Sequence, residues 1–122
     1  MMLNTAAKLK AFFAGFGLPA YTLQSVPEEV ELPYIAYRLI EPEWDKEADT
    51  YCQVYYPKYQ LEELLKKADQ IAAEIGTGLQ ITMSDGYLML YPTTPLIQIM
   101  ADEHTQSAYI SLIIRAYHMP GT

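Results

Sequence analysis

Apolar residues recur at Leu3, Ala6, Leu9, Phe13 and Phe16, with Ala7 and Phe12 widening the stripe. That spacing predicts an amphipathic helix over Leu3–Phe16. Asn4 or Thr5 is placed to cap its start, and Gly17 followed by Pro19 to end it. A stronger stripe follows over Gln60–Ile75, where Leu61, Leu64, Leu65, Ala68, Ile71, Ala72 and Ile75 fall at i, i+3, i+4, i+7. Glu62 and Glu63 stand four residues before Lys66 and Lys67 on the opposite side, the favourable order for helical ion pairs. Gly76 stops this helix.

Elsewhere the period is two. Thr50–Tyr56 alternates Cys52, Val54 and Tyr56 with Tyr51, Gln53 and Tyr55. Ser107–His118 alternates Ala108, Ile110, Leu112, Ile114 and Ala116 with Ser107, Tyr109, Ser111, Arg115 and Tyr117. Tyr34–Ile40 is apolar on both faces apart from Arg38, which predicts a strand covered on both sides. Tyr21–Gln24 is a candidate short edge strand, and Val26–Glu29 a turn. Pro42 ends the Tyr34–Ile40 strand, and Glu43–Asp49 forms a charged loop around Trp44. Pro57 breaks the Thr50–Tyr56 strand and is placed to open the second helix. Leu79–Met83 and Tyr87–Tyr91 flank Ser84-Asp85-Gly86, a β-hairpin pattern. Pro92–Glu103, with two prolines and no sustained period, reads as a long excursion of the kind that often carries function. The order α, β, β, α, β, β, β predicts one α+β domain over 1–122: a mostly antiparallel sheet of four to five strands with both amphipathic helices packed on one face. The other face of that sheet is then rich in tyrosine.

Composition sharpens this. The 122 residues are 51% hydrophobic and 19% charged, enough for one core and typical of a globular chain. Fifteen acidic against eight basic side chains leave a net charge of −7. Nucleic-acid binding draws its affinity from clustered Lys and Arg, and here only Lys66 and Lys67 are adjacent, so no specific nucleic-acid binding is expected. Cys52 is the single cysteine and has no intrachain partner. No signal-peptide pattern opens the chain, and no stretch approaches the roughly 20 apolar residues of a spanning helix, so synthesis in the cytoplasm without membrane attachment is expected.

Candidate chemistry is sparse. Asp102-Glu103-His104 supplies three metal-ligand types in a row, but consecutive loop side chains rarely converge on one ion, and a solvated turn is expected. Cys52 has no base assigned beside it and reads as a small buried apolar residue. Gly76-Thr77-Gly78 follows a helix and precedes a strand, the reverse of a phosphate loop, and lacks the Lys-Ser/Thr ending. Glu41, Glu43, Asp45, Glu47 and Asp49 form an alternating acidic run, read as a hydrated loop with docking of a basic neighbour as the rival role. Eleven tyrosines are many for this length, with Tyr51, Tyr55, Tyr56 and Tyr59 clustered. Without a basic groove to pair with base stacking, packing and subunit contact explain them. No catalytic residue, cofactor or metal is expected.

Several stretches taken in order carry a resemblance. Leu32-Pro33-Tyr34-Ile35-Ala36-Tyr37 follows an acidic turn, and Lys67-Ala68-Asp69 lies in the second helix. Asp85-Gly86-Tyr87-Leu88 forms the hairpin, Thr94-Pro95 leads to Met100-Ala101-Asp102-Glu103, and Ala108-Tyr109-Ile110-Ser111-Leu112 closes the chain. Over about residues 20 to 117 this resembles the tail-completion, or tail-terminator, proteins of long-tailed phages and prophages of Gram-positive bacteria. A second glycine often follows Asp-Gly in that family, where Tyr87 stands here. The resemblance implies a structural virion protein of the tail and neck, closing into a ring, commonly hexameric, that caps the tail tube and joins it to the head connector. Its partners would be copies of itself, the tail-tube protein and the connector. Trp44, Asp45, Tyr51, Tyr55, Met100, Asp102, Glu103, Tyr109, Arg115 and Tyr117 are the candidate interaction residues, lying on the tyrosine face and on the segments Pro42–Asp49 and Pro92–Thr105. Another neck or minor capsid component, or a small bacterial ligand-binding or regulatory domain, is the alternative.

Overall fold

A computed structural model describes residues 2–118, with side chains described from Asn4. The two helical stripes become α1 (Met2–Ala14) and α2 (Leu61–Ile75), and the alternating segments become β1 (Ala20–Thr22), β2 (Tyr34–Tyr37), β3 (Glu47–Pro57), β4 (Leu79–Met83), β5 (Gly86–Ala101) and β6 (Thr105–His118). The strands form one sheet in the order β1-β2-β3-β6-β5-β4. β1 runs parallel to β2, and every other neighbouring pair is antiparallel. The domain is α+β, as expected. Six strands replace the expected four to five, since the weak Tyr21 segment pairs with β2 through three residues before turning into a 3-10 turn at Leu23–Ser25. α1 touches both β1 and β4, which stand at opposite edges of the sheet, so the sheet curls around it.

Both helices bury their stripes against the same sheet face. α2 contributes Leu64, Ala68, Ile71 and Ile75, and α1 contributes Leu9, Phe13 and Phe16, to one core with Cys52, Val54, Leu88, Leu90, Ala108, Ile110, Leu112 and Ile114. Phe13 stacks on Tyr37 at 4.6 Å between ring centroids. Each fully buried aliphatic side chain here stabilises the fold by about 1.5–3 kcal/mol relative to exposure. Glu62 and Lys66 form their i,i+4 pair at 3.2 Å. Lys67 does not pair with Glu63; its Nζ donates to the Phe16 carbonyl at 2.6 Å and to Gln70 Oε1 at 3.0 Å, tying α2 to the end of α1.

Several boundaries differ from expectation, each for a local reason. α1 starts by Met2, so Asn4 and Thr5 lie inside the helix. Their side chains bond instead to Ser84 Oγ (3.2 Å) and Glu41 Oε1 (3.1 Å), tying the helix to its neighbours. The Leu3 side chain falls outside the described part. Pro57 ends β3 and does not open α2. β2 stops at Tyr37, although Arg38 N still donates to the Tyr51 carbonyl at 3.0 Å, and Leu39 and Ile40 pack against the core. β3 begins at Glu47, three residues early, because Glu47, Ala48 and Asp49 pair with Arg115, Ile114 and Ile113.

The largest correction concerns Pro92–Glu103. It is not a loop: β5 runs on to Ala101, with Ile97 to Ala101 paired in register to Ile110 through Gln106. Pro92 is the last residue in the first register, opposite Leu112, and the shift between Pro92 and Ile97 takes up Pro95, whose missing N–H costs no ladder bond there. Thr93 Oγ1 donates to the Ser111 carbonyl across it at 3.1 Å. Two prolines three residues apart hide the alternation of Ile97 and Ile99 with Gln98 and Met100.

Glycine matters most at the β4–β5 hairpin. A Cβ at Gly86 would collide with the Tyr117 carbonyl oxygen and press on the Trp44 ring. Close approach of β6 therefore demands Gly at this position.

Candidate interaction surface

The strand residues that point away from the helices build a sheet face of stacked phenols. In the β2–β3 pair, Tyr34 stands opposite Tyr55 and stacks on it at 4.8 Å, with Tyr21 set edge-on to Tyr34 at 6.1 Å. Across β3 and β6, Tyr51 stacks on Tyr109 at 4.5 Å along the diagonal of the ladder. Across β5 and β6, Tyr87 faces Tyr117 at 4.8 Å, and the Tyr91 and Tyr117 hydroxyls lie 3.4 Å apart. Such cross-strand aromatic pairs contribute about 0.2–1 kcal/mol each. All seven of these tyrosines apart from Tyr21 form the ladder, and each is half-buried by its neighbours with no second layer over it among the described residues.

Nine of the ten candidate residues fall into three groups along β3, β5 and β6, eight on or at the rim of this face and Trp44 packed against the core side. At one end Trp44 bridges to Ala116 and packs beside His118, while Asp45 adopts φ 61° in the turn and donates its N–H to the Ala116 carbonyl at 2.7 Å. Arg115 Nη2 donates to the Asp45 carbonyl at 3.2 Å, and its guanidinium lies 5.0 Å over the Tyr117 ring, a cation–π contact. The centre is the Tyr51–Tyr109 stack. At the other end a depression of about 200 Å³ is lined by Gln53, Tyr55, Met100, Asp102 and Ser107, with Gln53 Nε2 donating to Ser107 Oγ at 2.8 Å. The structure thus brings nine of the ten into three contiguous groups; Glu103 sits exposed at the β5–β6 turn, with His104 beside it at 4.0 Å.

The charges follow from these positions. Burial pushes the Tyr34 and Tyr55 phenols up, and for Tyr34 the nearby Asp102 adds to it. Burial likewise raises Tyr109, with Tyr51 contributing. Asp102 is held below the usual carboxylate range because the Thr105 and His104 amides donate to it. Its Oδ1 accepts from those amides at 2.7 and 2.9 Å, and its Oδ2 from Thr105 Oγ1 at 2.9 Å. Asp102-Glu103-His104 is therefore a capped turn, with the carboxylate already committed to three donors. Among the described residues no three His, Cys, Asp or Glu side chains converge as metal ligands.

Cys52 sits in the core with its thiol pushed up to about 12 by burial, so it stays protonated and out of reach of solvent. The tyrosine cluster read from the sequence divides: Tyr56 is buried in the core, whereas Tyr59 is 84% exposed beyond the end of β3. Tyr34, Tyr87 and Tyr91 belong to the aromatic face but are missing from the sequence-derived set. Their strand parity placed them there, yet only the register of β2–β3 and β5–β6 brings them against Tyr55 and Tyr117.

These features define an α+β domain with a helix-covered core face and an open aromatic face. Among the described residues, no helix is long and apolar enough to cross a membrane. No family model, curated protein or solved structure matches the chain.

Proposed function

We propose that the protein is a structural subunit of a phage or prophage tail, whose copies close into a ring that caps the tail tube and joins it to the head connector. The observation that carries the reading is the open face of stacked tyrosines on β2, β3, β6 and β5. Tyrosine supplies large, rigid contact area at little cost in side-chain freedom, and aromatic residues concentrate at the centres of protein interfaces. The ordered motifs from Leu32 to Leu112, which resemble the tail-terminator family, supply the biological setting. A closed ring needs a heterologous contact, in which this face meets a different patch of the next copy. The acidic balance of the chain, −7, suits a ring through which DNA passes without being gripped.

The test is the mass of the purified protein by light scattering, alone and mixed with purified tail-tube protein. A ring-sized species that binds tube ends, weakened by Tyr51→Ala with Tyr109→Ala, is expected. A chain that never exceeds small oligomers and never binds the tube would sink the proposal.

A further inference from the structure

The sheet has a stepped edge. β4 pairs only with Gly86–Leu90, and β5 continues from Tyr91 to Ala101 with β6 on one side and, among the described residues, no strand on the other. The last five residues, Ile97-Gln98-Ile99-Met100-Ala101, form regular ladder with Ile110–Gln106, so their other backbone edge points outward with unpaired groups. Such an edge is a template for another strand unless charge, proline or a covering element blocks it. None of those devices is present in this segment: it carries no charge, and both prolines precede it, Pro92 opposite Leu112 and Pro95 within the register shift. Ile99 and Met100 are 45% and 51% exposed, two of the few large apolar side chains left in solvent.

We infer that this edge pairs with the same edge of a second copy, as an antiparallel two-fold contact centred on Ile99. Three features select a second copy over another extended segment. The apolar–polar parity is the same read from either end about Ile99: Ile99 meets Ile99, Ile97 meets Ala101, and Gln98 meets Met100. The acidic turn is kept clear, with Asp102 and Glu103 of one copy falling opposite Leu96 and Pro95 of the other, so two chains of net charge −7 meet where neither is charged. The step also fits: because β4 ends beside Leu90, the space below it along β5 is one strand wide and open to the partner's β5. A two-fold axis normal to the sheet keeps both helix layers on one side. It places Ile97 and Ile99 of both copies beside Ile110 and Ala108 as an extension of the core face. This contact uses the sheet edge and stands independently of any ring made through the tyrosine face.

Sedimentation velocity over a concentration series tests it. In the Tyr51→Ala/Tyr109→Ala background, where ring closure is weakened, a two-copy species is expected, and adding Ile99→Lys raises its dissociation constant about tenfold or more while the circular dichroism spectrum is unchanged. Tyr59→Lys, a charge placed on an exposed apolar residue elsewhere, leaves the dimer intact. Register is read with Ile99→Cys, which is expected to cross-link across the axis under mild oxidation while Cys52 stays buried; Gln98→Cys, facing Met100, cross-links poorly. A chain that stays monomeric throughout, a dimer indifferent to Ile99→Lys, or a Gln98→Cys cross-link as efficient as that at Ile99 would each overturn the pairing. Should Ile99→Lys fail to fold, the two cysteine variants decide the matter alone.

Discussion

β3 and β6 present two faces made from the same strands, and they are built on different physics. On the helix side Cys52, Val54, Ala108, Ile110, Leu112 and Ile114 are sealed from water by α1 and α2. On the other side Tyr51, Tyr55, Tyr109 and Tyr117 shield one another in stacks and are only half-buried. The first face is close-packed, so loss of a methyl group is felt as a cavity. The second is a self-supporting layer whose rings keep an outward surface and a hydroxyl each. The contrast separates folding from recognition within a single sheet: the core face holds the fold, and the aromatic face remains available for contact.

The largest expected effect breaks the core face. Ile110→Ala or Leu64→Ala should lower unfolding free energy by about 2–5 kcal/mol in urea titration, because both side chains are fully enclosed. Tyr51→Ala should cost distinctly less on the same measurement; if the two faces cost alike, the contrast fails. Second comes alkaline pH. The raised Cys52 thiol and the raised phenols all favour the protonated form in the folded chain. For Cys52 the stabilisation is complete below the unfolded thiol value of 9.0 and is lost as pH rises from there toward about 12, and the phenols add to the loss in the same direction. Thermal unfolding followed from pH 8 to 11 should show that decline, and Cys52→Ala should flatten its early part. Third, a double-mutant cycle at Tyr51 and Tyr109 should return a coupling of about 0.5–1.5 kcal/mol. A coupling of zero would mean that the stack adds nothing to area burial. The smallest effect is local. Asp102, with its lowered carboxyl, should hold the β5–β6 turn closed at neutral pH and release it as pH falls through that lowered value. Protection factors at the His104 and Thr105 amides, taken against the intrinsic exchange rate at each pH, should fall in acid and in Asp102→Ala, with global stability little changed.

How much could be read in advance differs by element. α2 was plain because seven apolar residues kept helical phase for sixteen residues, and Gly76 closed it with its N–H on the Ala72 carbonyl at 2.9 Å. β6 and the core half of β3 were equally plain from their alternation. The distal part of β5 was hidden, because Pro92 and Pro95 are strong breakers locally and only the irregular register opposite Ser111 lets a strand absorb them. Asn4 and Thr5 looked like caps because their side chains are capping types, yet contacts with Ser84 and Glu41, eighty and thirty-six residues away, claim them. Of the candidate surface, Tyr51, Tyr109, Arg115 and Tyr117 were visible from parity alone, while Tyr34, Tyr87 and Tyr91 were not tied to them.

Taken by itself, the order of residues determined two helices, their buried stripes, the parity of the main strands and the aromatic character of one sheet face, since each depends on neighbours within a few positions. The strand order, the parallel entry of β1, the collision that reserves Gly86 for glycine, the stacking partners of each tyrosine and the open step along β5 were decided only in three dimensions. Those features depend on which distant segments come to lie side by side. That choice is made by the packing of two helices on one curled sheet, a property of the whole chain and of no single stretch within it.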